Sequence, residues 1–374
     1  MKAKRIFAVH LLNDFSGSPL ILRQSLEILS NDHEVHLYTS TPSGEGNLSN
    51  IPGVINHDSF YKWSPNKLLT LFYFITAQSL LFFRFLFILK KEDTVYVNTL
   101  LPFGAALAGW IIGARVIYHI HEVSITPALL KSFLVKIARL CSAKIIFVSN
   151  FVKTQFDFPD EKSSVIYNAL PTSFVKEAMS TVAPGKHTLF TVLMLASLKA
   201  YKGIYEFVEI AKCLPDIQFV LVLNSSQSKV DAFQKSTDAP TNCTIYPVQN
   251  DTAPFYKKAN VVVNLSHPDR WMETFGMTIL EGMYYGLPAI VPPVGGVTEL
   301  VRDGIEGIYA GSRDINNVID AIVHLHTDNA HYNKIALAAW FRAQHFSQQT
   351  FKKHIDSLFN IPCTSFDQVP ALEI

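Results

Sequence analysis

The chain has 374 residues, which is long enough for two domains that each bury a hydrophobic core. A hydrophobic share of 49% with a charged share of 17% excludes a disordered chain. The 32 Lys and Arg residues nearly balance the 31 Asp and Glu residues, and this balance argues against nucleic acid as a partner. Residues 1–190 nevertheless hold 18 basic and 13 acidic residues, so the basic excess lies in the first half.

The cysteines and the N-terminal residues indicate in which cellular compartment the protein is expected. The four cysteines lie far apart and form no C-x-x-C pair, which favours neither a zinc ribbon nor a secreted disulfide framework. The apolar stretch behind the basic N-terminus is interrupted by His10, Asn13 and Asp14, so it lacks the core of a signal peptide. We therefore expect a cytoplasmic protein.

Short β-branched runs alternate with longer helical patterns along the chain, which is typical of βαβ units around buried parallel sheets. The first series of strands is predicted near 5–12, 34–40, 94–99, 114–120, 144–149 and 163–167. Helices are predicted between them near 17–30, 101–112 and 125–141. The second series has strands near 190–196, 218–224, 243–247, 261–265, 288–292 and 307–310, with helices near 203–213, 276–286 and 314–326.

The two series predict two doubly wound, Rossmann-like α/β domains that face each other across a cleft. Residues 171–186 are polar and contain Pro184-Gly185, so we place the linker there. The predicted domains are 1–178 and 187–344. The helical pattern continues beyond them, and we expect a C-terminal helix at about 345–374 to pack back on the first domain.

Residues 68–89 form an apolar stretch that is long enough to span a bilayer. A single crossing would place the strands on either side of it on opposite sides of the membrane, which argues against a span. An interfacial helix and a buried core helix remain as alternatives. Four lysines flank the stretch: Lys62, Lys67, Lys90 and Lys91. Each lysine near an anionic leaflet adds about 1 kcal/mol of attraction. These lysines favour peripheral attachment to the inner face of the membrane.

Glu273 and Glu281 stand eight residues apart around a glycine. If a helix starts at Gly276, Glu273 lies in the loop before it and Glu281 lies on its second turn. The unpaired N–H groups of Gly276, Met277 and Thr278 then face an anion such as a diphosphate. Each carboxylate can accept two hydrogen bonds from the diol of a ribose or a sugar. Without further context, two solvent-facing glutamates remain the simpler interpretation.

The stretch SHPDRWMETFGMTILEGMYYGLPAIVPPVGGVTELVRDGIEG supplies that context. It resembles the donor-binding region of glycosyltransferase family 4, whose members are retaining GT-B enzymes that use nucleotide sugars. The resemblance covers most of 190–311, and its G-x-P, G-G-x-x-E and D-G elements are Gly286-Leu287-Pro288, Gly295-Gly296 with Glu299, and Asp303-Gly304. It implies that Glu281 holds the ribose of a UDP- or GDP-sugar and that Glu273 holds the donor sugar.

A second element of the resemblance is SLKAYKG, which ends the first strand of the second domain. The family pattern there is G-R-x-x-x-x-K-G, and its arginine and lysine bind the diphosphate. Lys202 matches the lysine, whereas Ser197 stands in the place of the arginine, and Lys199 offers a charge nearby. A lysine does not reproduce the bidentate geometry of a guanidinium. We also place the pocket for the base near Val248.

In the first domain, YHIHE places two histidines at the end of a strand, where open α/β sheets bind ligands. The H-x-H pair has no third ligand at a suitable spacing, so we do not predict a metal there. His121 matches the histidine with which the family reaches the transferred sugar, and a hydrogen-bonded core histidine is the alternative. Gly17 matches the family's glycine loop near the acceptor. Ser18 and Asn168 also fall at acceptor-side positions of the resemblance.

The sequence has no D-x-D, no P-loop, no dinucleotide fingerprint and no G-x-S-x-G motif. We therefore expect a glycosyltransferase that needs neither metal nor cofactor. The resemblance implies retention, catalytic roles for His121, Glu273 and Lys202, and a glycan or lipid-linked acceptor in the synthesis of cell-surface polysaccharide or lipopolysaccharide. Two alternatives are a nucleotide-sugar epimerase of the same fold and a catalytically weak assembly protein that binds nucleotide sugars.

Overall fold

The computed structural model describes residues 4–42, 44–180, 187, 189–311 and 313–360, and the chain divides into two units. The first unit takes in residues up to Val148, Val152–Tyr167 and the chain from Gln349. The second unit takes in Ser149–Phe151 and Asn168–Gln348. Each unit is built around one parallel β-sheet, as the sequence predicted.

The first unit contains a sheet of seven parallel strands in the order β3-β2-β1-β4-β5-β6-β7. Its strands are β1 (Arg5–Leu12), β2 (Glu34–Ser40), β3 (Val54–Asp58), β4 (Thr94–Asn98), β5 (Arg115–Ile120), β6 (Lys144–Phe147) and β7 (Ser163–Val165). Every residue of β4 and β5 is buried, so their apolar residues do not alternate with exposed polar ones. Its helices before β7 are α1 (Gly17–Leu29), α2 (Lys67–Ile88), α3 (Phe103–Ile112), α4 (Ala128–Cys141) and α5 (Asn150–Thr154), whose first two residues group with the second unit.

The second unit contains a sheet of six parallel strands in the order β10-β9-β8-β11-β12-β13. Its strands are β8 (Thr191–Ser197), β9 (Gln218–Asn224), β10 (Cys243–Tyr246), β11 (Val261–Val263), β12 (Ala289–Val291) and β13 (Gly307–Tyr309). Its helices are α6 (Thr172–Ser180), α7 (Ile204–Cys213), α8 (Gln227–Thr237), α9 (Ala253–Lys258), α10 (Met277–Tyr284), α11 (Ile315–Thr327) and α12 (Asn329–Ala343). In both sheets the strand order reverses beside the first strand, next to β4 and β11, and doubly wound folds bind ligands at such a point.

The boundary between the units lies earlier than predicted, and part of the predicted linker is helix α6. The ring of Phe174 in α6 lies edge-on to the rings of Tyr256 and Tyr285. Glu177, one turn further along, pairs with Lys257 at 2.7 Å. These contacts attach the segment after Tyr167 to the second unit, whereas the prediction had left residues up to 178 with the first. Residues 181–186 of the predicted linker lie outside the described residues.

Strand β3 and helix α8 are among the elements that were not predicted, and both bury little apolar surface. Strand β3 lies at the edge of its sheet and has no buried residue, so its sequence VINHD lacks the expected alternation. Helix α8 has the polar sequence QSKVDAFQKST and buries only Val230, Phe233 and Thr237. Hydrophobic periodicity, on which the prediction depended, is weak in both segments.

The last described helix, α13 (Gln348–Phe359), belongs to the first unit although it follows the second in sequence. The Arg115 side chain donates a hydrogen bond to the Leu358 carbonyl at 2.8 Å. The rings of Tyr96 and Phe359 meet edge to face at 5.0 Å. The predicted helix at about 345–374 therefore ends at Phe359 among the described residues, and residues 361–374 lie outside them.

Helix α2 coincides with the apolar stretch predicted at 68–89. The Asn66 side chain caps it by accepting hydrogen bonds from the N–H groups of Leu68 and Leu69. By length and composition the helix could cross a membrane. One side of it nevertheless packs inside the first unit, where Phe85 lies against the rings of Phe7 and Tyr38. The opposite side is exposed, so α2 is not a fully enclosed core helix.

Candidate functional site

The candidate site of the second unit lies at the carboxyl ends of β8 and β11, where the strand order reverses. The loop after β8 carries Lys202, and Asn264 follows β11 directly. Helix α10 begins at Met277 after a loop that carries Glu273. The sequence had placed Glu273 before the helix and Glu281 on its second turn, and the observed helix, with Gly276 as its N-cap, agrees with this.

Lys202 and Glu273 form the centre of this site. The Lys202 ammonium donates to Glu273 Oε2 at 2.9 Å, and the two side chains are only 17% and 20% exposed. The amide of Asn264 donates to the same carboxylate oxygen at 3.3 Å. The Lys202 ammonium also lies 5.0 Å from the centre of the Trp271 ring, which stacks on Tyr201. These contacts hold a cation and a carboxylate at the carboxyl end of the sheet.

Glycines hold the loops of this site against one another. Gly203 has a φ of +77°, and a Cβ there would overlap the Leu265 carbonyl. The N–H of Gly296 donates to the Glu273 carbonyl at 2.7 Å, and a side chain at Gly296 would overlap the backbone at Thr274. Gly295-Gly296 was recognised in the sequence as an element of the resemblance, and the backbone turns at Gly295, whose φ is +96°. The structure shows that this turn packs against the backbone of the Glu273 loop and fixes its position.

The start of α10 offers a site for an anion. Gly276 is the N-cap residue, has a φ of +104° and supplies no side-chain cap. The first N–H groups of a helix have no partner within the helix, and they carry a partial positive charge. Met277 and Thr278 form the first turn and are partly exposed. This start and the Lys202 ammonium favour a negatively charged group.

Glu281 lies further along the same helix, and its partner is a tyrosine that the sequence analysis missed. The Tyr256 hydroxyl donates to Glu281 Oε2 at 2.5 Å, and the Thr278 carbonyl oxygen lies 3.3 Å from the same hydroxyl. Burial raises the pKa of Glu281 to about 7, and the hydrogen bond from Tyr256 opposes that rise. Near neutral pH this carboxyl group is therefore poised between its two protonation states.

The remaining donor-side residues lie along the same edge of the sheet. Ser197 ends β8 beside Asn224 of β9, and it is partly exposed. Lys199 is exposed, and no ion pair of its side chain is recorded among the described residues. Val248, after β10, is 50% exposed, and its N–H donates to the Ser225 carbonyl. The structure thus places Ser197 at the end of β8, and Lys199 and Val248 in loops at the carboxyl end of the sheet.

Glu299 has a structural role that the motif did not indicate. Its carboxylate accepts hydrogen bonds from the N–H groups of Asn150 and Phe151 at 3.0 and 2.6 Å. Ser149, just before them, donates to the Thr274 carbonyl at 2.7 Å. These bonds explain why Ser149–Phe151 belong to the second unit. No sequence signal links residues that are about 150 positions apart.

In the first unit, His121 belongs to a polar network at the carboxyl ends of β1, β4 and β5. Its Nε2 donates to Asn98 Oδ1 at 2.9 Å, and Asn98 Nδ2 in turn donates to His10 Nδ1 at 3.0 Å. Burial, together with neighbouring His119 and His10, holds the pKa of His121 well below its usual value. The ring is therefore neutral at pH 7, with a proton on Nε2 and a lone pair on Nδ1.

The residue after His121 is also built into this edge. Glu122 accepts hydrogen bonds from the N–H groups of Leu100 and His121 at 2.7 and 3.2 Å, and its burial raises its pKa. His119 is fully buried, and its Nδ1 lies 2.8 Å from the Tyr96 hydroxyl oxygen. Burial lowers the pKa of His119 to about 3. Within the described ranges, no group of three His, Cys, Asp or Glu side chains is placed to hold a metal ion.

The acceptor-side residues fall in different units. Gly17 starts α1, and a Cβ there would meet open space. The Ser18 carbonyl accepts a hydrogen bond from Asn98 Nδ2 at 3.2 Å, which joins the first turn of α1 to the His121 network. Asn168 lies in the second unit, and the structure records no partner for its buried Oδ1. The sequence had assigned Asn168 to the first domain together with Gly17 and Ser18.

Family models match both parts of the chain. A model described as Glycosyltransferase Family 4 matches residues 20–174, and one described as Glycosyl transferases group 1 matches residues 176–339. Among curated proteins, an uncharacterized glycosyltransferase of Methanocaldococcus jannaschii is 28% identical over 193 residues, which are 51% of each chain. A D-inositol 3-phosphate glycosyltransferase of Kribbella flavida is 32% identical over 94 residues, or 25% of this chain and 21% of that protein.

Solved structures resemble the whole chain. HepE of Anabaena, crystallised with UDP and glucose, has a TM-score of 0.74 at 19% identity and covers 95% of this chain and 99% of its own. The lipopolysaccharide outer core galactosyltransferase WaaB has a TM-score of 0.71 at 17% identity, with coverage of 95% and 99%. At these identities the likeness concerns the fold, which is GT-B. With glycosyltransferase models matched in succession along both units, the chain belongs to glycosyltransferase family 4.

Proposed function

We propose that this enzyme moves a hexose from a UDP- or GDP-sugar to a glycan or a lipid-linked acceptor, with retention at the anomeric carbon and without a metal ion. The observation that carries the proposal is the pairing of Lys202 with Glu273 close in sequence to the uncapped start of α10. A cation and free N–H groups suit a diphosphate, and a carboxylate suits the hydroxyls of a sugar.

The donor is proposed to bind in three parts. Its diphosphate accepts hydrogen bonds from the Lys202 ammonium and from the N–H groups of Met277 and Thr278, which supply positive charge without a metal. Glu273, held by the amide of Asn264, accepts hydrogen bonds from hydroxyls of the donor sugar. Glu281 accepts hydrogen bonds from the ribose diol. Ser197, Lys199 and Val248 border the diphosphate and the base.

Transfer is proposed to follow front-face attack, in which the acceptor hydroxyl approaches from the side of the departing diphosphate. A phosphate oxygen of the leaving group takes the proton of the acceptor hydroxyl. The bond between the anomeric carbon and the diphosphate breaks, and the glycosidic bond to the acceptor oxygen forms on the same face. Negative charge grows on the diphosphate, where the ammonium of Lys202 stabilises it. One preorganised donor in such a place is worth about 3 kcal/mol, or about 100-fold in rate.

His121 is proposed to orient the sugar that is transferred. Its Nε2 proton is committed to Asn98, so the lone pair on Nδ1 can accept a hydrogen bond from a hydroxyl. A neutral ring is required for this, and the buried surroundings keep the ring neutral. Gly17 and Ser18 lie at the start of α1, where an acceptor meets little side-chain bulk.

We further propose that the acceptor belongs to cell-surface polysaccharide or lipopolysaccharide synthesis and that the enzyme acts peripherally at the inner face of the membrane. Two observations support this. The related fold of WaaB belongs to a lipopolysaccharide galactosyltransferase. In addition, α2 exposes an apolar side next to lysines.

The test is an assay of nucleotide release from a panel of UDP- and GDP-sugars, with and without a lipid extract. Release that depends on the extract, together with labelled sugar in the lipid fraction, supports transfer. Epimerised sugar nucleotide without any acceptor would identify an epimerase instead. Binding without turnover on any donor would identify a sugar-nucleotide-binding protein.

Lys202→Met provides the sharper test of the site. We expect it to lower turnover about 100-fold, because the departing diphosphate loses one preorganised cation. Lys229→Met is the matched control, since Lys229 is an exposed lysine of α8 in the same unit. Equal turnover of the two variants would contradict the assignment of Lys202.

A further inference from the structure

Helices α2, α3 and α4 of the first unit share an exposed apolar surface, which we call the apolar face. Its side chains are large and strongly exposed: Phe87 is 87% exposed, Leu129 is 84% exposed and Leu68 is 78% exposed. Phe72, Ile75, Leu80, Phe83, Trp110, Ile111, Phe133 and Leu140 complete the face. Isolated exposed apolar residues are ordinary, but a set of this size on neighbouring helices marks an interaction surface.

The three helices lie side by side, which makes the apolar face continuous. α3 contacts both α2 and α4. The ring of Phe103 in α3 lies 5.9 Å from that of Phe74 in α2 and 5.2 Å from that of Phe133 in α4. At 1.5 Å per residue, α2 alone extends the face over about 33 Å.

The charge around the apolar face is strongly positive. Residues 59–141 contain nine Lys or Arg residues and three Asp or Glu residues. Of the acids, Asp93 pairs with Arg5 at 2.6 Å and Glu122 binds backbone N–H groups. Of the basic residues, Arg115 is buried and Arg139 pairs with Asp157 at 3.0 Å. Exposed basic side chains lie at or near the two ends of α2, at Lys62, Lys67, Lys90 and Lys91, and Lys136 is an exposed lysine within α4.

We propose that the apolar face docks on an anionic lipid surface. Apolar burial at the boundary between headgroups and acyl chains and attraction of the lysines to anionic headgroups then act in the same direction. A second copy of the chain is a poorer occupant, because two such basic faces repel each other. A membrane span is also disfavoured, since Gln78 of α2 accepts a hydrogen bond from the buried N–H of Gly104 at 3.0 Å.

This inference rests on the proposed function and deepens it, because docking brings the first unit to a lipid-linked acceptor. Helix α4 begins at Ala128, a few residues after His121 in the chain. The Lys131 ammonium donates to the Val123 carbonyl at 2.9 Å and so fastens the loop after His121 to α4. One end of the apolar face, at Leu129, therefore adjoins the loop that carries His121.

The test is flotation of the full chain with phosphatidylcholine vesicles, with or without phosphatidylglycerol. We expect binding that needs phosphatidylglycerol and falls as salt rises, because salt screens exposed charges over roughly 8 Å at physiological strength. Changing Lys62, Lys67, Lys90 and Lys91 to Gln should weaken binding about 1000-fold at low salt and make the remainder less sensitive to salt. Lys229→Gln with Lys235→Gln is the matched control on α8.

The apolar contribution is tested separately by Phe72→Ser, Phe83→Ser and Phe87→Ser combined, which should weaken vesicle binding at least about 10-fold. Leu337→Ser with Phe341→Ser on α12 is the control, because these side chains are 48% and 57% exposed in the second unit. The melting temperature should stay unchanged, since the three phenylalanines are exposed. The inference is overturned if wild-type protein does not bind anionic vesicles at low salt, or if it self-associates through the apolar face instead.

UDP-sugar binding in the absence of vesicles separates this inference from the proposed function. If the protein binds the nucleotide and transfers sugar but does not bind vesicles, only the proposal of a docking surface is refuted. Protein that binds vesicles through the apolar face but no nucleotide sugar refutes the proposed function alone. In both docking variants we expect unchanged nucleotide affinity, because the substituted residues belong to the first unit.

Discussion

The hydrogen bond from Tyr256 to Glu281 leads to a prediction about pH. Glu281 has a pKa of about 7, and we propose that only its carboxylate form accepts both hydroxyls of a ribose. Nucleotide binding then favours the ionised form and lowers the pKa in the complex. The affinity should therefore rise as the pH increases through about 7 and become constant above it.

Tyr256→Phe removes the hydroxyl that stabilises this carboxylate at 2.5 Å. A hydrogen bond to a charged group is worth about 1.5–3 kcal/mol, and one pKa unit corresponds to 1.36 kcal/mol. The pKa of Glu281 should therefore rise by about one to two units. For a rise of one unit, the ionised fraction at pH 7 falls from about one half to about one tenth, which weakens nucleotide binding about five-fold. At pH 9 most of the loss should disappear.

The measurement is calorimetric titration of the cognate nucleotide at pH 6, 7, 8 and 9 with the wild type and Tyr256→Phe. Tyr285→Phe is the control, because Tyr285 stacks on Tyr256 in the same aromatic cluster without a recorded bond to Glu281. A loss of affinity that is the same at every pH would indicate that Tyr256 only supports the packing. An unchanged profile would refute the reasoning about Glu281.

The remaining predictions concern the ribose contact, the metal and the His121 network. Glu281→Ala should weaken nucleotide binding about 100-fold while the fold is kept, and unchanged affinity in calorimetry would contradict the ribose assignment. Turnover should survive EDTA, because charge on the diphosphate is balanced by Lys202 and the start of α10; a loss that magnesium or manganese restores would show the opposite. Asn98→Ala breaks the bonds to His121, His10 and the Ser18 carbonyl, so the free energy of unfolding should fall by about 2–3 kcal/mol, as measured by urea denaturation. Nucleotide affinity should remain unchanged in Asn98→Ala, and a loss of that affinity would show that the network reaches the donor site.

Local patterns in the sequence determined much of the architecture. Runs such as Val261–Val263 are apolar on both sides because each parallel strand is buried on both faces. The start of α10 was predictable from Gly276. A glycine adopts the positive φ of this N-cap without strain, and it has no side chain that could cover the first N–H groups of the helix. Lys202 and Glu273 were recognised from local motifs, and the structure joins them by an ion pair.

Tertiary structure alone decided the partners of these residues. Tyr256 stands 25 positions from Glu281, and Glu299 stands 149 positions from Asn150, so neither hydrogen bond leaves a local signal. The same holds for the division of the chain, which follows the packing of Phe174 on Tyr256 and Tyr285. The apolar face is a further case, because composition shows that α2 is apolar, whereas only packing decides which side of it is buried. Periodicity and turn chemistry act over a few residues, and contacts between distant elements depend on how those elements pack.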